Sequence, residues 1–170
     1  MRKILFISLY LLSFCEALEI GQSGLGVNLS GNNGGLINGK IWKSDMLQGK
    51  LSVLFYVDPD SKASNEDFAK KLKKENFDRD KIQSIAIINL GGTWIPNFLI
   101  EQRIKSRQEE FPHTTYVFDT TQYLVKKWGF KDDSTDVFIF DKRGSLIFRH
   151  FGKLNTKEIK KVLKLLKNKL

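Results

Sequence analysis

Residues 51–68, LSVLFYVDPDSKASNEDF, contain the transition on which the reading of the chain turns. Leu51–Val57 is a nearly continuous apolar run bounded by turn residues, the pattern of a strand covered on both faces. Asp58-Pro59-Asp60 ends it, and residues 62–76 then carry Phe68, Leu72 and Ala69 at helical spacing, so a helix is predicted there with these side chains inward. Asp60 or Ser61 is expected to cap that helix, with Pro59 stiffening its entry. Glu66 and Asp67 suit the positive end of its dipole.

Outward from this stretch the alternation continues. IQSIAIINL (82–90) reads as a second buried strand. Residues 94–111 read as a helix with Pro96 near its first turn, where proline is tolerated. TTYVFD (114–119) is a short strand, and 122–129 a short helix ended by Gly129. Strands at 136–141 and 145–151 flank Lys142-Arg143-Gly144 as an antiparallel hairpin. A last helix is predicted from the capping residues Asn155-Thr156, with Ile159, Val162, Leu163, Leu166 and Leu170 as its apolar stripe and lysines opposite. Such a stripe is expected to pack on the sheet rather than lie on a membrane surface. The order is β-α-β-α-β-α-β-β-α, which predicts an α/β three-layer sandwich with a central mixed sheet, helices on both faces and an antiparallel edge.

Before residue 40 the texture differs. Residues 18–39, LEIGQSGLGVNLSGNNGGLING, are rich in Gly, Asn and Ser and read as an N-terminal extension of loops with room for one short hairpin. Arg2-Lys3, the apolar ILFISLYLLSF and Cys15-Glu16-Ala17 have the order of a secretory signal, with cleavage expected after Ala17. The division expected is thus 1–17 signal peptide, 18–39 extension and 40–170 folded domain, in the periplasm with no stable membrane anchor after signal removal. Cys15 is the chain's single cysteine. Acylation of Cys15 would want a small residue before it, and Phe14 is large. Without Cys15 the chain offers no disulfide, thiol nucleophile or thiolate ligand.

The net charge is +9, and +8 without residues 1–17, whose Arg2, Lys3 and Glu16 sum to +1. The lysines are spread over several helices, without an arginine cluster or a nucleic-acid motif, so solvated helix faces are expected and not nucleic-acid binding. His113 and His150 lack a matched partner residue, and Gly91-Gly92 lacks the Lys-Ser/Thr of a phosphate loop. Trp42, Trp94 and Trp128 are expected as core or pocket walls. No cofactor is expected.

Gly49-Lys50 leading into LSVLFYV, with the late block VFIFDKRGSLIFRHFG, resembles the thioredoxin-like fold. More closely, the chain resembles the YtfJ family of exported bacterial proteins. The residues that carry this are Gly21-Gln22, Trp42 with Ser44, Leu47-Gln48-Gly49-Lys50, Ile88-Asn89, Phe118-Asp119, and Val137 through Gly144 into the basic last helix. Counted without gaps from Gly49-Lys50, the Cys-x-x-Cys of the thiol-disulfide reductases would fall on Ser61-Lys62-Ala63-Ser64; their cis-proline stands just before the hairpin strand, a place that Thr135-Asp136 occupies here. The resemblance therefore implies a thioredoxin-like domain without redox activity, since a serine hydroxyl has no disulfide chemistry and is a weak nucleophile without a base.

Two functional readings follow. In the first, the vacated loop (Asp58, Asp60, Ser61, Ser64, Thr135 and Asp136) is the binding site of a non-catalytic module for a protein or small ligand, and a monomer is expected. An exposed helix N-terminus there would suit an anion or peptide, and the carboxylates a hard cation on weaker spacing. In the second, Asp58 and Asp60 are the paired acids of a Mg2+-dependent phosphatase of haloacid-dehalogenase type. That motif continues with a small residue and Thr, where this chain has Ser61-Lys62, and it needs a late acidic pair ending a strand. Asp132-Asp133 lies in a polar loop, so the context is missing.

Overall fold

The computed structural model describes residues 17–61 and 64–170. Residues 1–16 of the predicted signal segment, with Cys15, and the pair Lys62-Ala63 lie outside the described residues. Among the described residues, eight strands and four α-helices follow in order: β1 (Asn28–Leu29), β2 (Gly34–Leu36), β3 (Trp42–Lys43), β4 (Leu51–Val57), α1 (Glu66–Lys74), β5 (Ile82–Asn89), α2 (Asn97–Glu110), β6 (Thr114–Asp119), α3 (Tyr123–Trp128), β7 (Thr135–Phe140), β8 (Leu146–His150) and α4 (Thr156–Lys169). The main sheet has the order β2-β6-β5-β4-β7-β8, and β1 pairs with β3 separately. β4, β5 and β6 are mutually parallel, while β2, β7 and β8 join antiparallel. This is the mixed sheet expected from the alternation, and β4 sits inside it, buried from Leu51 to Tyr56.

Both crossovers, β4-α1-β5 and β5-α2-β6, step the same way across the sheet. Right-handed connections therefore put α1 and α2 on one face. Val53, Phe55, Val137 and Ile139 point to that face and pack with Phe68 and Leu72 of α1 and with Ile159, Val162 and Leu166 of α4. Leu54, Tyr56, Phe138 and Phe140 point to the opposite face, where α3 supplies Leu124 and Trp128. Trp42 and Phe130 complete this second core, and Phe130 stacks on Phe138 with ring centroids 3.8 Å apart. The basic C-terminal helix is thus a packed helix. Its start is a capping box: Asn155 accepts from Lys157 N and Glu158 N, and Glu158 accepts from Asn155 N.

The N-terminal extension is woven into this body. β2 is the edge strand on β6, and Leu18, Val27 and Leu29 are buried in the second core. The approach of β2 to β6 requires glycine, because a Cβ on Gly34 would lie 2.0 Å from the Phe118 carbonyl oxygen. Asp119, fully buried at the end of β6, ties three elements together. It accepts from Tyr123 N (2.7 Å) and Leu124 N (2.8 Å), the free amides that open α3, and from the Tyr56 hydroxyl of β4 (3.0 Å). Burial, with the Asp119 carboxylate adding to it, pushes the Tyr56 hydroxyl well above its ordinary range, so it is a donor at every physiological pH.

The structure corrects the expected start of α1. The helix begins at Glu66, not residue 62, and neither Asp60 nor Ser61 caps it. The residue before it, Asn65, makes no side-chain cap either, because its amide is engaged elsewhere. It is buried and donates to the carbonyls of Thr135 (2.6 Å) and Gly152 (2.9 Å), and accepts from Leu154 N (2.9 Å). One amide thereby joins the start of α1 to β7 and to the β8–α4 connection. Asn65→Ala leaves those backbone groups without this partner, and we expect a loss of about 3 kcal/mol in unfolding free energy, measured by urea denaturation.

Candidate functional site

The loop after β4 lies at the carboxyl ends of the parallel strands, the end of an open α/β sheet where ligands bind. Its backbone is set by Asp58, which is buried and whose Oδ1 accepts from Asp60 N (2.9 Å), while Ser61 N donates to the Asp58 carbonyl (3.2 Å). Burial raises the Asp58 carboxyl above its usual range, with Asp60, Asp132 and Asp133 adding to the effect against the bond from Asp60 N. Asp60 turns away from α1. It accepts from the Thr93 hydroxyl (2.9 Å) and Trp94 N (3.4 Å), and so holds the β5–α2 loop against the β4–α1 loop.

The six residues named from sequence do not form one cluster. Asp58, Ser61, Ser64 and Thr135 line one groove of about 830 Å³ between α1 and α2. Asp60 and Ser61 line a neighbouring depression of about 350 Å³, walled by Trp94, Ile95, Pro96 and Leu99. Asp136 lines neither. It is paired with Tyr56 in the register, so its side chain projects to the α3 face, where it is fully buried. There it accepts from Lys131 N (3.2 Å), Gly152 N (2.9 Å) and the Ser134 hydroxyl. Burial raises its carboxyl above the usual range against these bonds. Asp136 braces the α3–β7 connection and Gly152 from the α3 face, because strand alternation sends neighbouring residues to opposite faces. All peptide bonds among the described residues are trans, including that joining Thr135 to Asp136.

The phosphatase reading finds no support in this geometry. Both oxygens of Asp60 are engaged by the β5–α2 loop, Asp58 bonds the backbone of its own turn, and among the described residues no three His, Cys, Asp or Glu side chains are grouped as a metal site. The histidines are apart: His113 meets the Arg79 guanidinium at 3.2 Å, and His150 lies 3.9 Å from Glu158. Gly91 and Gly92 pack against Gln122 and Asn89, where a Cβ on Gly91 would lie 2.8 Å from the Gln122 backbone nitrogen.

Two features of the site were not read from sequence. Trp94, expected as a core or pocket wall, walls the depression but is 84% exposed, and Phe98, near it in sequence on α2, is 61% exposed. The groove was also unforeseen. Its floor is Ser84 and Ala86 of β5, and residues as small as these under two helices are the one sequence signal for it. Glu66 and Arg107 (3.4 Å) cross it from α1 to α2, as do the Lys73 ammonium and the Glu110 carbonyl (2.6 Å). Lys70, hydrogen-bonded to Glu66 at 2.6 Å, holds that carboxyl below its usual range, with Arg107 adding.

Comparison with known proteins places the chain in a family. The structure superposes on a protein from Chlorobium tepidum assigned as the thiol:disulfide interchange protein DsbE, with a TM-score of 0.64 at 15% identity, covering 89% of this chain and 98% of that one. At that identity the match establishes the thioredoxin-like fold. An uncharacterized protein of Haemophilus influenzae is 26% identical over 161 residues, which span 90% of this chain and 88% of the relative. The Escherichia coli uncharacterized protein YtfJ is 24% identical over 135 residues, 77% of this chain and 73% of the relative. The sequence profile of a bacterial protein family of unknown function, YtfJ_HI0045, matches residues 20–169, and the chain belongs to that YtfJ family.

Proposed function

We propose that this chain is an exported, non-redox, thioredoxin-like binding module that engages its ligand or partner at the vacated loop after β4. The observation that carries the reading is the composition of that loop. By the count from Gly49-Lys50, Ser61 and Ser64 take the places of the redox cysteines; both line the groove, and Ser61 also lines the depression walled by the exposed Trp94. A thiol is absent from residues 17–170, while a concave surface with an aromatic rim supports recognition. Export rests on the Arg2-Lys3 and apolar pattern of residues 1–17. Asp58 and Asp136 are assigned structural roles under the loop.

Crosslinking in the native periplasm, followed by identification of captured proteins, tests this reading. Ser61→Glu with Ser64→Glu should remove the captured partner while the unfolding midpoint stays near wild type; capture that persists rejects the loop as the site. Ser61→Cys with Ser64→Cys should form an intramolecular disulfide on mild oxidation, detected by loss of thiol labelling, and failure to form it at any potential rejects the equivalence with the redox positions. Asp58 tests the structural assignment by its pH response. A carboxyl raised on folding makes the native state bind more protons, so its contribution falls as pH rises through its titration range. Asp58→Asn, which keeps the acceptor for Asp60 N, should therefore gain stability relative to wild type at neutral pH and lose that advantage below the usual aspartate range. Denaturation series across pH measure it, and a variant destabilised at neutral pH contradicts the assignment.

A further inference from the structure

The apolar packing on the α1 face is divided. One cluster joins α1 and α4 to β4 and β7; a separate one, Ile88, Ile100, Ile104 and Tyr116, lies under α2. Between them runs the groove, about 830 Å³, within the size range of small-molecule sites. Its floor follows β5 from Ile82 to Ile88, a strand length of about 20 Å. Along it Ala86 is paired with Phe55 of β4 and Tyr116 of β6, and Ser84 with Val53 and Thr114.

We infer that this groove binds a single-chain, long-chain fatty acid, its acyl chain on the β5 floor and its carboxylate at Arg79. This rests on reading the chain as a binding module and names the ligand class for the groove that the vacated loop opens onto. Three observations select this occupant. The β5 backbone is hydrogen-bonded to β4 on one side and β6 on the other, so the floor offers a bound polypeptide no main-chain partners. A peptide's amides would be left unpaired there, whereas an acyl chain has none to satisfy. The Glu66–Arg107 and Lys73–Glu110 crossings span the groove at its outer side, which favours a narrow chain over a ribbon of side chains. The end away from the loop carries cations: the Arg79 guanidinium meets His113 and no carboxylate among the described residues, and Lys50 lies beside it, its ammonium on the Arg79 carbonyl at 2.7 Å and 4.0 Å from the Asp80 carboxylate. A fatty-acid carboxylate there would receive charge-assisted hydrogen bonds from the guanidinium, while at the loop end Arg103 and Arg107 share the groove with the carboxylates of Asp58 and Glu66.

The test titrates delipidated protein with palmitate by calorimetry and native mass spectrometry. Saturable one-to-one binding is expected, weakened at least tenfold for methyl palmitate and for Arg79→Glu, and abolished by Ala86→Leu or Ser84→Leu, which fill the floor. Thermal unfolding checks that each variant is folded. If one floor variant fails to fold, the other and the surface variant Arg79→Glu still decide. No binding of palmitate to the wild type overturns the inference. So does binding that survives the floor variants, which would mean adsorption at Trp94 and Phe98, or a preference for a hydrophobic peptide with a free C-terminus that those variants block. If palmitate fails while the Asp58–Ser64 loop still captures a partner, the ligand class falls and the binding-module reading stands.

Discussion

Asn65 is the constraint from which the site's form follows. Its amide donates to Thr135 and Gly152 and accepts from Leu154, so the start of α1, strand β7 and the entry to α4 share one buried group. Two donor hydrogens and an acceptor are all used, which leaves little freedom for the side chain to move. In serving as this clamp Asn65 gives up the helix-capping role its residue type favours. The first helical amides are left to Glu66 and Asp67 in the first turn, whose charge suits that end of the dipole.

Behind the clamp, Asp136 does for the backbone what Asn65 does in front. Gly152 links them, its N–H donating to Asp136 and its carbonyl accepting from Asn65. The β8–α4 connection at Gly152 is therefore held from both faces of the sheet by side chains committed to structure. Asp58 and Asp60 extend the same logic: one shapes its own turn, the other fastens the β5–α2 loop. The half-buried Ser61 and Ser64 line the groove beside these committed groups.

That open ground results from how the crossovers stack. Two right-handed connections in the same direction must set α1 and α2 side by side on one face. With Ser84 and Ala86 beneath, the helices meet across polar contacts at their outer edges instead of a shared apolar seam. The opposite face has no such gap, because Trp42, Trp128, Phe130 and Phe138 fill it with interlocked rings. One face of the sheet is packed for stability, and the other carries the concave surface.

Local signals in the sequence determined much of this protein. The unbroken run Leu51–Val57, the helical stripe of α4 with its Asn155 cap, the glycine stop at Gly129 and the hairpin turn at Lys142–Gly144 are short-range patterns, and each matches an element of the fold. The absence of cysteine beyond residue 15 is likewise a property of the sequence alone. The tertiary structure decided the rest, because those features depend on partners far along the chain. Asn65 reaches residues near 135 and 152, Asp119 meets Tyr56, β2 leaves a glycine-rich extension to pair with β6, and alternation along β7 turns Asp136 away from Thr135. A groove is an absence of atoms between two helices, and only their placement over Ser84 and Ala86 creates it.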